Sequence, residues 1–366
     1  MIICHYTTVH KRYDTRIFYK QCVSLRSVAE TVYLIVADGK GDEVKEGVKI
    51  IDLGQHQSFF QRFFITQRKL LNKLKVLKAD LYHFHDPELI PVSWWFSRNR
   101  PVIYDAHENL TDQIKHKPGI KHFSFLLRPL IKWGLFKMLY RFKLILCATD
   151  EIYQEIGHHK KQIIYNYPKL KPFLDELGTD VQNEFNICYI GGLTRARGID
   201  KIIQAISEIA GVKLVLAGVF SEENYKTYCM SLGGWNKVEH LGWIKHEDAP
   251  KILKQCALGM SILEPTPAYI DSIPTKVLEY MSCSIPFLST ELTFCKIMVK
   301  EHKCGMIVNN NISSIKKGIL FYMKNKDIRI KHGRKGLKAI NQNYRWKNEE
   351  KKLLNSYKDI FDKQLA

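Results

Sequence analysis

Apolar, strand-like runs alternate with helical patterns along most of the chain, and this alternation constrains the fold more than any other feature. The rhythm occurs twice, before and after a polar, turn-rich stretch at residues 169–184. Alternating strands and helices build parallel sheets with crossover helices, so we predict an α/β protein with two Rossmann-like domains. The strand-like runs are 1–6, 31–37, 48–53, 81–85, 101–107, 144–149, 163–167, 185–192, 212–218, 238–244, 257–263, 285–290 and 304–310.

The length of 366 residues agrees with this division, because a chain of this size exceeds one ordinary hydrophobic core. We expect an N-terminal domain over residues 1–168, a linker over 169–184 and a C-terminal domain over 185–342. The remaining residues, 343–366, contain a helical pattern that lies outside the β/α rhythm and needs a surface on which to pack.

The chain carries a formal net charge of +19. Lys and Arg outnumber Asp and Glu by 16 to 8 in residues 51–150 and by 18 to 6 in residues 296–366. Such an excess favours an anionic partner, which could be a membrane surface, a phosphorylated substrate or a nucleic acid. A lysine-rich surface that serves only solubility would also explain much of it.

The chain shows no pattern of an exported or membrane-spanning protein. Nine scattered cysteines without a C-x-x-C pair predict reduced thiols and a cytoplasmic location, and the first residues do not resemble a signal peptide. The most apolar stretch, 123–147, contains five basic residues, and we expect Pro129 and Gly134 to divide it into shorter helices. Residues 59–78 form an amphipathic pattern that either packs on a sheet or rests its basic side on anionic lipid.

In parallel α/β sheets, ligands bind where strands end and loops lead into helices. The loop after 185–190 begins with Gly191 and Gly192, which let a ligand approach the backbone, and continues with Arg195 and Arg197. This pattern fits a diphosphate site, although a solvated loop with two exposed arginines is an equally good interpretation of the local pattern. Later loops contribute residues that could border a nucleotide base or merely pack, namely Gly218, Trp243 and Ile244.

The sequence SIPTKVLEYMSCSIP (272–286) predicts a short helix that begins at Pro274. Its buried stripe would be Val277, Leu278, Tyr280 and Met281, while Thr275, Glu279 and Cys283 share the other side. The free N–H groups and dipole at the helix start would favour an anion. Glu279 would lie roughly 7–8 Å further along, at about 1.5 Å per residue, where its carboxylate could accept bonds from ribose hydroxyls. A surface Glu on a short helix is the simpler interpretation.

These segments in this order resemble the donor half of family-4 glycosyltransferases with the GT-B fold, of the bacterial surface-polysaccharide type. The segments that carry this resemblance are YIGGLTRARGIDKIIQA, LAG, HLGWI and DSIPTKVLEYMSCSIPF. HKRYDTRIFYKQ (10–21) and YHFHDPELI…PVIYDAHE (82–108) are similar to the acceptor half of the same family. The resemblance covers nearly the whole chain, and its most specific element is a pair of acids separated by seven residues.

The resemblance implies a sugar nucleotide bound in a cleft between the two domains and transfer with retention of anomeric configuration. It places the ribose ligand at Glu279 and the donor-sugar ligand at Asp271, where the family usually has Glu. The phosphate-binding cation falls on Arg197, and Arg195 could share its role because Gly192 replaces a frequent second arginine. The remaining donor-binding candidates are Gly191, Ser272, Thr275 and Lys276.

On the acceptor side the resemblance places His107 near the donor sugar and the acceptor. Asp105 and Glu108 flank it, and either could orient the ring or act as the base; a histidine that is merely buried is the other possibility. Asp14 and Arg16 stand where the family commonly has a glycine pair, and we take them as further candidates near the acceptor. His85 and Asp86 end the preceding strand and could line the acceptor pocket or serve packing.

The mechanism implied is electrostatic. Arg195, Arg197 and the helix start at 272–275 would stabilise charge on the leaving diphosphate. The chain has no D-x-D motif, so we predict no cofactor and no metal requirement, the sugar nucleotide being a substrate. UDP-sugars are favoured over GDP-sugars only by their general prevalence.

The fold implied by the resemblance usually ends in a helix that crosses back onto the N-terminal domain. The two basic regions, 51–150 and 296–366, would then share one face, and we expect that face to bind the anionic inner surface of the plasma membrane and a lipid-linked glycan acceptor. Two alternatives stay open. A UDP-sugar epimerase would share the architecture but needs no acceptor, and a nucleic-acid-binding protein is suggested by charge alone, with no supporting motif.

Overall fold

We describe a computed structural model of the chain, covering residues 1–56, 58, 61–107, 124–158, 160–169, 185–245, 247–266 and 269–365. The chain divides into two compact units, one formed by Met1–Asn166 with Lys347–Ala366 and the other by Tyr167–Trp346. Each unit contains its own sheet and its own hydrophobic core.

Eight strands form the sheet of the first unit within the described residues, in the order β3-β4-β2-β1-β5-β6-β7-β8. All neighbouring pairs are parallel except β3 with β4. The central strands are apolar over nearly their whole length, as expected for a parallel sheet covered on both faces. The strands are β1 (Ile2–Tyr6), β2 (Thr31–Val36), β3 (Glu43–Lys45), β4 (Val48–Asp52), β5 (Leu81–Phe84), β6 (Val102–Ala106), β7 (Leu144–Cys147) and β8 (Lys161–Ile163).

The helices of the first unit pack on this sheet, and their buried side chains complete its core. A π-helical segment (Ile17–Cys22) leads into α1, a second one (Gln61–Thr66) leads into α2, and a 3₁₀ turn (Pro87–Leu89) leads into α3. The helices are α1 (Val23–Leu25), α2 (Gln67–Leu77), α3 (Ile90–Phe96), α4 (Ser124–Leu139) and α5 (Asp150–Glu155). Leu70 and Leu74 of α2 are fully buried in the core of the sheet, so the part of the amphipathic pattern that lies in α2 packs its apolar side on the sheet.

Six parallel strands form the sheet of the second unit within the described residues, in the order β11-β10-β9-β12-β13-β14. They are β9 (Phe185–Ile190), β10 (Val212–Ala217), β11 (Val238–Gly242), β12 (Leu258–Ser261), β13 (Phe287–Ser289) and β14 (Gly305–Ile307). The helices are α6 (Ile199–Ile206), α7 (Glu223–Met230), α8 (Ala249–Leu253), α9 (Thr275–Ser282), α10 (Thr293–His302), α11 (Ile312–Lys324) and α12 (Lys326–Gln342). The predicted class of two Rossmann-like α/β domains is thus confirmed.

The last helix, α13 (Trp346–Leu365), packs on the first unit. The Tyr357 hydroxyl is hydrogen-bonded to His5 Nε2 at 3.1 Å, and Glu349 Oε2 accepts from the backbone N–H of Tyr165 at 3.0 Å. These contacts bring the end of the chain onto β1 and onto the segment that follows β8.

Three local predictions differ from the structure. The strand expected at 163–167 lies at Lys161–Ile163, because the N–H of Tyr165 bonds to Glu349 instead of to a neighbouring strand. The sequence did not reveal β3, which is a three-residue antiparallel edge strand. Pro129 and Gly134 do not divide α4, which continues through both residues. Within the described residues, none of the helices is long and apolar enough to cross a membrane.

Candidate active site

Two glycine loops meet at the carboxyl edge of the second sheet. Gly191 and Gly218 have φ angles of +141° and +148°, which L-residues with a side chain rarely adopt. A Cβ on Gly218 would lie 1.9 Å from the carbonyl oxygen of Gly191, so this contact requires glycine. A Cβ on Gly192 would have no neighbour within 4 Å, so the space beside this residue is open to a ligand.

The Tyr189 side chain lies beside this loop and holds two cations. Its hydroxyl donates to the Gly192 carbonyl at 3.0 Å and accepts from Arg197 Nη1 at 3.3 Å and from Lys276 Nζ at 2.8 Å. Burial and the neighbouring Arg197 guanidinium lower the pKa of Lys276 to about 7. Two cations that share one neutral oxygen form a site that an anion would stabilise.

Lys276 stands in the first turn of α9, and the short helix predicted to begin at Pro274 is confirmed as Thr275–Ser282. Its apolar stripe, Val277, Leu278, Tyr280 and Met281, is fully buried. Thr275 is exposed and Glu279 is half-buried. Because Glu279 follows Lys276 by three residues, its carboxylate lies on the same helical side, where it raises the pKa of Lys276 against the larger effect of burial.

Three other predicted donor residues have local partners. The Arg195 side chain is 64% exposed, lies 3.8 Å from Asp200 and stacks over the ring of Tyr225 at 4.9 Å. Asp271 Oδ1 accepts from the Thr293 hydroxyl at 2.8 Å, and the Ser272 hydroxyl donates to the Tyr269 carbonyl at 2.7 Å. In the described contacts Arg195 therefore does not join the pair of cations formed by Arg197 and Lys276.

The candidates for the nucleotide base lie in the loops after β10 and β11. The Gly218 carbonyl is 3.1 Å from His240 Nε2, and the His240 ring packs edge-on to Phe220 at 5.5 Å. Trp243 is 68% exposed and Ile244 is half-buried. An exposed indole beside a glycine loop offers a flat apolar surface on which a base could stack.

In the first unit, the Asp105 carboxylate at the end of β6 is fully buried and surrounded by donors. Arg16 binds it with two nitrogens, at 2.9 and 2.6 Å, and Gln21 Nε2 donates to it at 2.6 Å. Burial opposes its ionisation, but the Arg16 guanidinium and His107 keep the pKa of Asp105 well below its ordinary value. Asp105 is therefore a buried carboxylate that orients its neighbours.

His107 is the member of this cluster nearest to solvent, with a side chain that is 13% exposed. Its Nε2 lies 2.9 Å from Asp105 Oδ2 and 3.1 Å from His85 Nδ1. Burial lowers the pKa of His85 well below its usual value, so this imidazole is neutral. The structure therefore brings together four of the sequence candidates: His107, Asp105, His85 and Arg16.

The other candidates on this unit have different surroundings. Asp14 Oδ1 accepts from the backbone N–H groups of Arg16 and Ile17, at 2.8 and 2.9 Å, and so caps the π-helical segment. Asp86 accepts from the hydroxyl of Thr7 at 2.7 Å and lies 3.6 Å from His10 Nε2. Arg16 is buried, and it also donates to the Ile164 carbonyl at 2.6 Å. Glu108 lies outside the described residues.

Among the residues that the structure describes, two groups of side chains have ligating atoms within 4.8 Å of one another, as a metal site would require. One consists of His5, His83 and His85, and the other of His85, Asp105 and His107. The first carries no negative charge, and in the second Arg16 already neutralises Asp105. Because the charge of the only carboxylate is already compensated, we interpret both groups as hydrogen-bonded networks.

The sequence did not reveal Tyr189, His5, His83 and Tyr357 as members of these clusters. Tyr189 lies 87 residues from Lys276, and Tyr357 lies 352 residues from His5. A signal was present only for His83 and His85, whose spacing of two residues places both side chains on one face of a strand.

Comparison with known proteins supports the interpretation of the second unit. Residues 178–339 match the family model described as glycosyl transferases group 1. The chain is 22% identical over 312 residues to the alpha-galactosylglucosyldiacylglycerol synthase of Streptococcus pneumoniae, with 79% of each protein covered.

Two solved structures share the fold over nearly the full chain. Sucrose-phosphate synthase from Thermosynechococcus elongatus has a TM-score of 0.79 at 14% identity, with 99% of each chain covered. HepE from Anabaena, solved in complex with UDP-glucose, has a TM-score of 0.75 at 15% identity, with 98% of this chain and 100% of that chain covered. The match over residues 178–339 supports a glycosyltransferase, and the solved structures show that the chain has the GT-B fold.

Proposed function

We propose that the protein is a retaining glycosyltransferase that moves a hexose or N-acetylhexosamine from a nucleotide diphosphate sugar to a hydroxyl of a glycan. The acceptor is lipid-diphosphate-linked, and the product serves surface polysaccharide synthesis such as O-antigen or capsule. One observation carries the donor half of the proposal: Arg197 and Lys276 converge on Tyr189 beside an open glycine loop.

The donor diphosphate would lie over Gly191 and Gly192. A Cβ built on Gly191 stands 3.6 Å from Arg197 Nη1 and 3.7 Å from Lys276 Nζ, so both cations border the same backbone position. The free N–H groups at the start of α9 would add to this positive site. A guanidinium and an ammonium fixed beforehand stabilise charge that grows on a leaving diphosphate without a resident cation.

Glu279 would bind the ribose hydroxyls and Asp271 the hydroxyls of the donor sugar. UDP is the preferred nucleotide, because HepE, which shares the fold, was solved with UDP-glucose; a GDP-sugar is the other donor to test. On the first unit, we propose that His107 contacts the reacting groups and that Asp105 orients its ring.

A lipid-linked acceptor agrees with two observations, the net charge of +19 and the similarity to a diacylglycerol glycolipid synthase. We propose that the protein is cytoplasmic and binds the inner face of the plasma membrane through basic residues in 51–150 and 296–366. Flotation with liposomes tests this: binding should increase with anionic lipid and fall with salt. Binding that is indifferent to both would contradict it.

The reaction itself is tested by incubating the protein with UDP- and GDP-sugars, with and without a lipid-diphosphate glycan. The proposal predicts nucleotide release that depends on the acceptor, and a product with the anomeric configuration of the donor. A new sugar nucleotide formed without any acceptor would show an epimerase instead. Transfer with inversion of the anomeric configuration would still show a glycosyltransferase, but it would contradict the retaining mechanism.

A further inference from the structure

A chain of buried hydrogen bonds connects the last helix of the protein to His107. The Tyr357 hydroxyl lies 3.1 Å from His5 Nε2, His5 Nδ1 lies 3.0 Å from His85 Nε2, and His85 Nδ1 lies 3.1 Å from His107 Nε2. Tyr357, His5 and His85 are at most 1% exposed, so no bulk water can replace a missing partner. The chain is unbroken from α13 to the edge of the sheet.

The proton positions follow from the carboxylate at one end. Ionised Asp105 only accepts hydrogen bonds, and His107 Nε2 at 2.9 Å is closer to it than His85 Nδ1 at 3.4 Å. His107 Nε2 therefore carries the proton. His85 Nδ1 lies 3.1 Å from this His107 nitrogen and 3.4 Å from Asp105 Oδ2. In the shorter of these two contacts it presents a lone pair to the His107 N–H, and His85 then carries its own proton on Nε2.

The same logic continues to the helix. His85 Nε2–H donates to His5 Nδ1, so His5 carries its proton on Nε2 and donates it to the Tyr357 hydroxyl oxygen. The Tyr357 hydroxyl is also hydrogen-bonded to His83 Nδ1, and the other ring nitrogen of His83, Nε2, is buried without a partner among the described residues. His5 and His85 are then Nε2–H tautomers, and burial lowers the pKa values of His5, His83 and His85, in agreement with neutral rings.

We propose that Tyr357 is a positioning residue that sets the tautomer of His107 through His5 and His85. Without the phenol oxygen, the buried His5 Nε2–H would have no acceptor, which is costly. His5 would then carry its proton on Nδ1 and donate it to His85 Nε2. Because His85 Nε2 would now accept, His85 would carry its own proton on Nδ1. That N–H would face the His107 N–H at 3.1 Å and compete for Asp105.

The consequence for His107 concerns Nδ1, the ring nitrogen that does not face Asp105. In the Nε2–H tautomer, His107 Nδ1 carries a lone pair and can accept a proton or a substrate hydrogen bond. Competition at Nε2 would favour the opposite tautomer, which lacks this lone pair. The effect on turnover rests on the proposed function of His107, whereas the tautomer itself does not.

The test is ¹⁵N NMR of histidine-labelled protein, combined with steady-state kinetics. Wild-type His5, His85 and His107 should all show protonated Nε2, and a wild-type His85 protonated on Nδ1 would overturn the proposal without any variant. In Tyr357→Phe, which keeps the ring volume, His107 should shift towards the Nδ1–H tautomer. kcat should fall about tenfold, with little change in the KM of the donor.

Ser356→Ala is the matched control, because Ser356 lies on the same helix and its hydroxyl is hydrogen-bonded to the Gln162 side chain and to the Lys352 carbonyl, both outside the histidine chain. It should leave both the tautomer and kcat unchanged. His5→Leu breaks the chain at a second point and should reproduce the Tyr357→Phe shift. An unchanged His107 tautomer in a folded Tyr357→Phe protein would contradict the inference. A shifted His107 tautomer with normal turnover would support the inference, but it would show that His107 does not act in the proposed reaction.

Discussion

The ammonium of Lys276 lies 2.8 Å from the hydroxyl oxygen of Tyr189, so a side chain from the first turn of α9 reaches the last residues of β9. This contact joins the helix start to the glycine loop and places Arg197 in the same cluster. The two cations repel each other while no anion is present, and a bound anionic ligand would offset this repulsion.

The first prediction concerns pH. Burial and Arg197 lower the pKa of Lys276 to about 7, so the ligand-free protein loses this positive charge as pH rises above 7. The affinity for UDP should therefore fall above neutrality, by up to about tenfold per pH unit, because a bound diphosphate favours the protonated amine. Titration calorimetry between pH 7 and 9 checks this. Lys276→Met should bind more weakly at pH 7 and lose this dependence; a flat wild-type profile would contradict the assignment.

The second prediction concerns Glu279. We expect Glu279→Ala to lower kcat/KM about 10²-fold, since hydrogen bonds to a charged group contribute about 1.5–3 kcal/mol each. The fold should survive, because Glu279 is half-buried and the opposite stripe of α9 makes the core contacts. Glu223→Ala is the control: that carboxylate forms an exposed pair with Lys226 at 2.9 Å and should have almost no effect. Near-normal turnover by folded Glu279→Ala would remove α9 from the donor site.

The third prediction separates two glycines of the same loops. Gly218→Ala should destabilise the fold by several kcal/mol, because its Cβ would lie 1.9 Å from the Gly191 carbonyl oxygen at a φ of +148°. Gly192→Ala has open space around it and should unfold like the wild type, yet it should weaken nucleotide binding by occupying the ligand's position. Denaturant unfolding and UDP titration of both variants check this. Equal stability of the two variants would show that the loops rearrange freely.

The fourth prediction concerns metals. If the cations of Arg197 and Lys276 neutralise the leaving diphosphate, turnover after treatment with a chelator should equal that of the untreated protein. Added Mg²⁺ or Mn²⁺ should not raise kcat more than about twofold. A chelator-dependent loss that one of these ions restores would contradict this part of the mechanism.

The sequence predicted the sheets well because strands buried on both faces are continuous apolar runs. It predicted α9 equally well, since the stripe of Val277, Leu278 and Met281 has the helical period. It failed for β3, an edge strand of three residues without an apolar pattern.

The sites were predicted less completely than the fold. Arg197, Lys276, Asp105 and His107 were recognisable in their local motifs, but their partners lie far away in the sequence. No local pattern indicates that Tyr357 of the last helix meets His5 of the first strand. Such contacts follow from the order of the strands and from where α13 packs, and the sequence alone does not determine these at the level of single side chains.

The most direct test of the central claim is a crystal structure of the protein in complex with UDP. The account predicts the diphosphate within hydrogen-bond distance of the Arg197 guanidinium, the Lys276 ammonium and the first N–H groups of α9. It also predicts the ribose hydroxyls on Glu279. A nucleotide bound away from residues 191–197 and 271–279, or no binding of UDP or GDP at all, would contradict it.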